Sequence, residues 1–397
     1  MSSRSSAYTA ILLLGIVSLM GDIVYEGSRG LVPDYFKFLG ATAFIVGLVG
    51  GLGEFIGYAL RLISGVLADT TRAYWFFIFI GYGLIISIPL LGLVNSLELA
   101  ISLILLERIG KALRSPSRDT VLSIASKDLG AGKAFGIHEF LDQMGAVAGP
   151  LIVAFLMFYT SNNYSLTFSS LLLPFFILFA VLFYTHRRIG SKTAGESKVG
   201  MKGRVVLEKP FYIYTFAVVL NTVGLIPAAL ILYKASALFQ LEQKQWMVPL
   251  IYLLIQGVDA IAALLAGYAF DKFGIKILTL SFFLSLFPSL FAAGFQGLHA
   301  LIIASIFFGI VLGMQESIYR AAVSQLAPLA SRGTAYGIFN TAYGVSFLIS
   351  GAIYGLMIDY SASLIAVLLF VISMQAAAIA ALLYTNRIMV PAEIRAR

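Results

Sequence analysis

Four residues near the start of the sequence, Asp22, Tyr25, Glu26 and Arg29, fall at i, i+3, i+4 and i+7, a spacing that puts them on one stripe of an α-helix. Such a stripe can do three kinds of chemistry. Its carboxyl groups can take up and release protons or coordinate a hard cation, and its guanidinium can hold an anion. Similar arrays recur downstream. Glu54, Tyr58 and Arg61 repeat the pattern at i, i+4 and i+7; Glu107, Lys111, Arg114 and Arg118 share one helical face with Arg108 turned aside; His138, Glu139 and Asp142 follow. Cysteine is absent, there are three histidines, and no H-E-x-x-H occurs. Thiolate catalysis, a disulfide framework and a histidine-rich metal site are thereby excluded.

The elements that must carry these charges are set by composition. The 397 residues are 60% hydrophobic and 12% charged, where a soluble chain carries about 25% charged residues. A water-soluble globular enzyme is excluded. At about 20 apolar residues per crossing, the length holds on the order of a dozen membrane helices and no large soluble domain. The apolar runs predict twelve, at 8–33, 41–65, 75–95, 97–116, 134–158, 165–185, 210–236, 246–270, 275–294, 297–320, 335–357 and 362–386. They are too long for strands and lack the alternating ten-residue segments of a barrel. The first run carries Asp22, Glu26 and Arg29 with no small-residue cleavage pattern after it, so it reads as a retained span rather than a signal peptide.

With the N-terminus cytoplasmic, 19 of the 27 Lys and Arg fall in cytoplasmic segments, three outside (Lys37, Lys234, Lys244) and five within helices. The positive-inside rule then puts both termini in the cytoplasm, in a plasma or inner membrane, and the net charge of +8 marks a membrane side, not nucleic acid. Trp75 and Trp246 sit at predicted helix ends, where headgroups favour them. Three regions follow: a six-helix bundle over 1–185, a basic cytoplasmic linker over 186–209 holding seven Lys and Arg, and a second six-helix bundle over 210–397 with a short tail.

An ionised side chain at the bilayer centre costs about 2.5–3.5 kcal/mol or more, so each such residue requires a partner, a cavity or a function. Intrahelical pairs Glu26 with Arg29, Glu54 with Arg61 and Glu107 with Lys111 would absorb part of the charge. They cannot absorb all of it. Within the first-half helices six acids (Asp22, Glu26, Glu54, Glu107, Glu139, Asp142) face four bases (Arg29, Arg61, Arg108, Lys111), which leaves at least one carboxyl to hold or exchange a proton or cation. Asp22, Glu26, Glu54 and Asp142 are the candidates for proton coupling; His138 reads as a hydrogen-bonded packing residue. The second half offers Asn221, Gln256, Asp259, Gln315, Glu316, Arg320 and Asn340, which with Tyr25, Arg29 and Tyr58 suit either substrate orientation or hydrogen bonding between helices. Pro227, Pro249 and Pro288 fall inside predicted helices and free backbone carbonyls there.

The chain also repeats itself. Gly65-Val66-Leu67-Ala68-Asp69 follows predicted helix 2, and Gly267 to Lys276, containing Asp271 and Lys272, follows helix 8, displaced by 202 residues; Arg118 and Arg320 share that offset. Phe135-Gly136-Ile137 recurs as Tyr336-Gly337-Ile338 at an offset of 201. Duplicated six-helix bundles are the economical explanation. These segments resemble the major facilitator superfamily, whose loop between helices 2 and 3 carries G-x-x-x-D-(R/K)-x-G-(R/K)-(R/K) with a weaker copy between helices 8 and 9. Here the second copy is the fuller one, and the first continues from Asp69 through Thr70 and Thr71 to Arg72. Gly145-x-x-x-Gly149-Pro150 is similar to a signature associated with proton-linked antiporters and also suits plain helix packing.

The resemblance implies a twelve-helix, all-α secondary transporter working by alternating access, with a site between the halves. It gives Arg108 the position of a coupling arginine, though Lys111 and Ala112 stand where glutamine and glycine are usual, and it makes Gly65, Asp69, Arg72, Gly267, Asp271 and Lys272 a cytoplasmic gate. In that gate the glycines would admit a neighbouring helix and the aspartates would face helix N-termini. The leading expectation is a proton-coupled carrier of a small organic solute, with export favoured, driven by a proton gradient without cofactor or bound metal and acting as a monomer. Transport of a metal or inorganic cation on Asp22, Glu26 and Glu54, or of an organic anion on Arg29 or Arg320, stays open. A lipid-modifying membrane enzyme is the remote alternative, since no nucleophile or metal motif is present.

Overall fold

A computed structural model describes residues 3–125, 131–193, 207–328 and 331–395, and among these no strand occurs. The helices, in chain order, are α1 (Ser3–Phe38), α2 (Ala43–Thr71), α3 (Tyr74–Leu93), α4 (Leu97–Ala125), α5 (Ala131–Tyr159), α6 (Tyr164–Gly190), α7 (Lys209–Gln240), α8 (Val248–Phe273), α9 (278–294), α10 (Leu298–Leu326), α11 (Arg332–Asp359) and α12 (Leu364–Arg395). Ten stretches are long and apolar enough to cross a membrane. One of them, Gln245–Gly294, holds both α8 and α9, parted where Gly274 takes φ +59°. The twelfth helix, α4, is as long as α2 and misses the apolar criterion through its own charges. Of the predicted linker, 194–206 lies outside the described residues.

Several predicted ends fall short. α1 runs through Pro33 and α4 through Pro116. Gly65 to Asp69, expected as a loop, forms the last turns of α2, and Gly267 to Phe273 closes α8. Nothing in either stretch breaks a helix; the breaks come later, at Arg72 (φ +55°) and Gly274. Pro249 lies in the first turn of α8, where no intrahelical N–H is lost, and so frees no carbonyl there. Pro227 does interrupt α7, between Val223 and Ala228. Side chains meet groups freed at the break: Ile226 N donates to Ser289 Oγ at 2.9 Å, Gly224 O accepts from Ser289 Oγ and Tyr354 OH, and Leu225 O accepts from Ser350 Oγ.

Contacts divide the chain into two compact units. The first gathers α1, the part of α2 from Ile56, α3 to α6, and Gln243–Leu250; the second takes Gly40–Phe55 and the rest of α7 to α12. In the first, α1 lies along α5, and at Gly145 and Gly149 the backbones of the two helices come into direct contact. A Cβ at Gly149 would sit 2.8 Å from Gly27 N and 2.9 Å from Ile23 O, and one at Gly145 would sit 2.6 Å from Leu19 O and 2.8 Å from Asp22 Cβ. Pro150 continues the same helix. Gly149→Leu should therefore lower the thermal midpoint in detergent by the overpacking of this contact, about 1–3 kcal/mol or more. Gly136→Leu on the same helix, where a Cβ meets nothing within 4 Å, should leave it close to the parent value.

Candidate functional site

The apposition of α1 and α5 sets the chemistry of the first unit. Gly145 is one turn beyond Asp142, so the close approach that it permits brings Asp142 against Asp22 on α1. The two acidic residues therefore sit at one point of the α1–α5 contact, Asp22 with its Cβ 2.8 Å from where a Gly145 Cβ would stand and Asp142 with Oδ1 3.8 Å from Arg118 Nη1. Asp22 and Glu26 are each 5% exposed. Around them the stripe closes into a network. Glu26 Oε1 lies 3.0 Å from Arg29 Nη1 and 3.7 Å from Lys111 Nζ. The Lys111 ammonium also donates to Tyr25 OH at 3.3 Å, and Lys111 and Arg114 both stand over the Tyr25 ring.

A second node forms at Ser18, one turn before Asp22. Its hydroxyl accepts from Arg118 Nη1 at 2.9 Å and lies 3.1 Å from Tyr82 OH and 3.2 Å from His138 Nε2. Arg118 also bonds Asp119 Oδ1 at 3.0 Å and stands 3.8 Å from Asp142 Oδ1. Four helices, α1, α3, α4 and α5, therefore meet in one connected set of charges, hydroxyls and an imidazole. The third node lies on α4. Arg114 Nη2 donates to Glu107 Oε1 at 3.3 Å and Nη1 donates to Gly81 O, while Arg108 Nε is 3.5 Å from Glu107 Oε2. Glu107 thus pairs with Arg114 and Arg108, not with Lys111 as its own-helix spacing suggested. Lys111 crosses to α1.

The remaining candidates are dispersed. Glu54 and Tyr58 are half-buried on α2, and Arg61 lies 5.3 Å over the Tyr58 ring. In the second unit Asn221 is fully buried, its amide donating to Gln375 Oε1 at 2.7 Å and its carbonyl oxygen accepting from Tyr319 OH at 2.8 Å. Gln315 Oε1 accepts from Tyr343 OH at 2.9 Å. Gln256 and Asp259 are buried on α8 and Asn340 half-buried on α11; Glu316 and Arg320 are exposed on α10, where Arg320 bonds the Glu316 carbonyl. Gln315 to Tyr319 form a turn of π-helix, a widening often seen at functional positions.

The gate residues contact little. A Cβ on Gly65 would meet only Pro116, at 3.6 Å, and one on Gly267 would meet nothing within 4 Å. Neither glycine is needed for a tight helix contact here. Asp69 accepts from Tyr74 OH at 3.0 Å; Arg72, Asp271 and Lys272 are exposed, with Lys272 over the Phe273 ring.

The two halves differ in chemistry at corresponding places. At the offset of 202, Glu107 and Lys111 correspond to Gly309 and Gly313, and Asp22 corresponds to Gly224. Gly309 and Gly313 serve close packing, their missing Cβ atoms facing Ile255 O and Asp259 O at 2.6 Å. Among the described residues, the network of Asp22, Glu26, Lys111, Arg114, Arg118 and Asp142 lies in the first unit. Ser18 and Tyr82 were not picked out from the sequence. Ser18 is legible as the i−4 member of the Asp22 stripe, whereas nothing in the sequence connects Tyr82 to it.

Comparison with known proteins is consistent with this architecture. The Major Facilitator Superfamily profile matches residues 11–351 and, a second time, 211–395. A Mycobacterium tuberculosis protein of uncharacterized function is 33% identical over 378 residues, covering 94% of this chain and 92% of the relative. An uncharacterized MFS-type transporter of Methanocaldococcus jannaschii is 28% identical, covering 87% of each chain. Among solved structures, the nucleoside transporter NupG superposes with a TM-score of 0.72 at 15% identity, over 95% of this chain and 99% of its own.

Proposed function

This chain belongs to the Major Facilitator Superfamily, and we propose that it is a proton-coupled member acting on a small organic solute, with Asp22 and Asp142 holding the transported proton. Secondary transport, rather than enzyme catalysis, follows from the family. The coupling rests on one observation, two acidic side chains brought to the same point of the glycine contact between α1 and α5, where a Cβ on Gly145 would stand 2.8 Å from Asp22 Cβ. A hydrogen bond between two carboxyl groups needs a donor, so the pair holds a proton when joined and has reason to release it when separated. Arg118, 3.8 Å from Asp142, supplies the positive charge that favours the deprotonated state. Ser18, His138 and Tyr82 offer the pair a chain of exchangeable hydrogens.

The Lys and Arg distribution supports cytoplasmic termini, which places the ends of α1, α5 and α11 on the outer side. A monomer embedded in a plasma or inner membrane, working as an exporter, fits this arrangement, with Tyr25 and Arg29 as contacts for the solute.

The test is a pH-sensitive dye trapped in proteoliposomes, with a panel of nucleosides, amino acids, short peptides and organic cations added one at a time. The expected result is that at least one solute moves protons through the protein and accumulates only while a pH gradient is held. A solute carried equally well with the gradient collapsed, with no dye response, would overturn the coupling.

A further inference from the structure

The last helix of each half carries the same short run of residues. Leu182-Phe183-Tyr184-Thr185-His186-Arg187 lies at the end of α6, and Leu382-Leu383-Tyr384-Thr385-Asn386-Arg387 follows 200 residues later in α12. The match extends to the packing. Leu178 and Ala378, Leu182 and Leu382, and Thr185 and Thr385 are all fully buried, so each helix is set into its own unit on the same register and turns the same face outward. Both threonines bond a carbonyl one turn back, Thr185 Oγ1 donating to Val181 O at 2.7 Å and Thr385 Oγ1 to Ala381 O at 3.0 Å. The tyrosine before each threonine and the arginine two residues after it are exposed.

Cations stand over the exposed rings at both places. In the first unit Arg187 lies 4.4 Å over the Phe183 ring, and Arg188 Nη1 donates to Tyr184 OH at 2.8 Å. His186 packs against Trp75 with ring centroids 4.7 Å apart, and an indole at the end of a span marks the level of the headgroups. In the second unit the cation over the Tyr384 ring is Lys209, at 5.8 Å, from the start of α7. Neither 171–190 nor 364–391 contains an acidic residue. Further along each helix the outward face is apolar, with Phe176 and Ile177 exposed on α6 and Ile372 exposed on α12. A positive, ring-lined end below an apolar face suits a ligand that is anionic at its head and apolar in its tail.

We propose that these two helix ends are matched seats for anionic phospholipids of the cytoplasmic leaflet, one phosphate held by Arg187 and Arg188 and the other by Arg387 and Lys209. The Lys and Arg distribution puts both ends on the cytoplasmic side. Guanidinium groups offer paired donors that fit phosphate oxygens, and the tyrosine rings lie where headgroup meets acyl chain. The first seat is the stronger. It has two guanidinium groups, whereas the second has one with an ammonium, and Glu208 stands next to that ammonium in the chain. Both seats hold their lipids whichever solute or ion the carrier moves.

Native mass spectrometry of the delipidated protein, titrated with dioleoylphosphatidylglycerol and separately with dioleoylphosphatidylcholine, counts the lipids retained. The parent should keep two of the anionic lipid and neither of the zwitterionic one. Arg187→Ala with Arg188→Ala, and Lys209→Ala with Arg387→Ala, should each weaken one of the two binding steps about thirtyfold, from about fivefold for each basic residue at the surface. All four substitutions together should abolish both steps. Lys133→Ala with Lys276→Ala, which removes as much charge from other exposed positions, should keep both. Should the fourfold variant not fold, the two double variants carry the test. Equal retention of the two lipids by the parent, unchanged retention of the anionic lipid by the folded variants, or an equal loss in the Lys133, Lys276 variant overturns the seats. Displacement of the anionic lipid by inorganic phosphate would assign the positive ends to a free anion and overturn them as lipid sites.

Discussion

Asp142→Asn is expected to reduce proton-driven accumulation of solute to background while leaving solute exchange across proteoliposomes, at equal pH on both sides, close to the parent rate. Asparagine keeps the size of the side chain and its capacity to bond Asp22, yet it has no proton to give up. The coupled step is lost and the alternation is not. Asp22→Asn should do the same, and the double variant should be no worse than either single one, because two residues sharing one proton act as a unit. Exchange separates this outcome from misfolding. Accumulation retained in the double variant would remove these two residues from the coupling.

The largest effect on stability is expected at Glu107. Its carboxylate and the Arg114 guanidinium are 2% and 3% exposed, 3.3 Å apart, and Arg114 lies between the Tyr25 and Tyr82 rings at 5.1 and 5.3 Å. Glu107→Gln leaves a buried guanidinium without its carboxylate, a loss of about 3–5 kcal/mol. Removing both charges together, as Glu107→Gln with Arg114→Met, should recover much of that loss, since the buried Arg114 guanidinium goes with its carboxylate and only the longer contact to Arg108, 3.5 Å, is still missing. Thermal unfolding in detergent measures both. A double variant less stable than Glu107→Gln would mean that Arg114 acts through its hydrogen bond to Gly81 O and its ring contacts more than through the ion pair.

The α1 stripe, the twelve helices and the richness of the first half in acids were legible because each depends on local spacing or on the length of an apolar run. Partner choice was legible for Glu26 with Arg29, 3.0 Å apart, and not for Glu107. Own-helix spacing points Glu107 to Lys111, yet Lys111 reaches Glu26 and Glu107 takes Arg114, because helix packing decides which charges face each other. The α1–α5 part of that packing is set by Gly27, Gly145 and Gly149. The spacing of the last two is visible in the sequence, but spacing alone does not say that Asp22 would meet Asp142 there. The ends of α2 and α8 were misplaced because glycine and aspartate read as loop residues, although both can continue a helix inside a membrane protein.

The most direct test of the central claim is the infrared spectrum of the protein in lipid, recorded through a pH titration and repeated in D2O. A proton held between Asp22 and Asp142 predicts a protonated-carboxyl band that shifts on deuteration, fades as the pH is raised and is missing from the Asp22→Asn, Asp142→Asn double variant. A parent spectrum without that band across the titration, or a band unchanged in the double variant, would contradict the account.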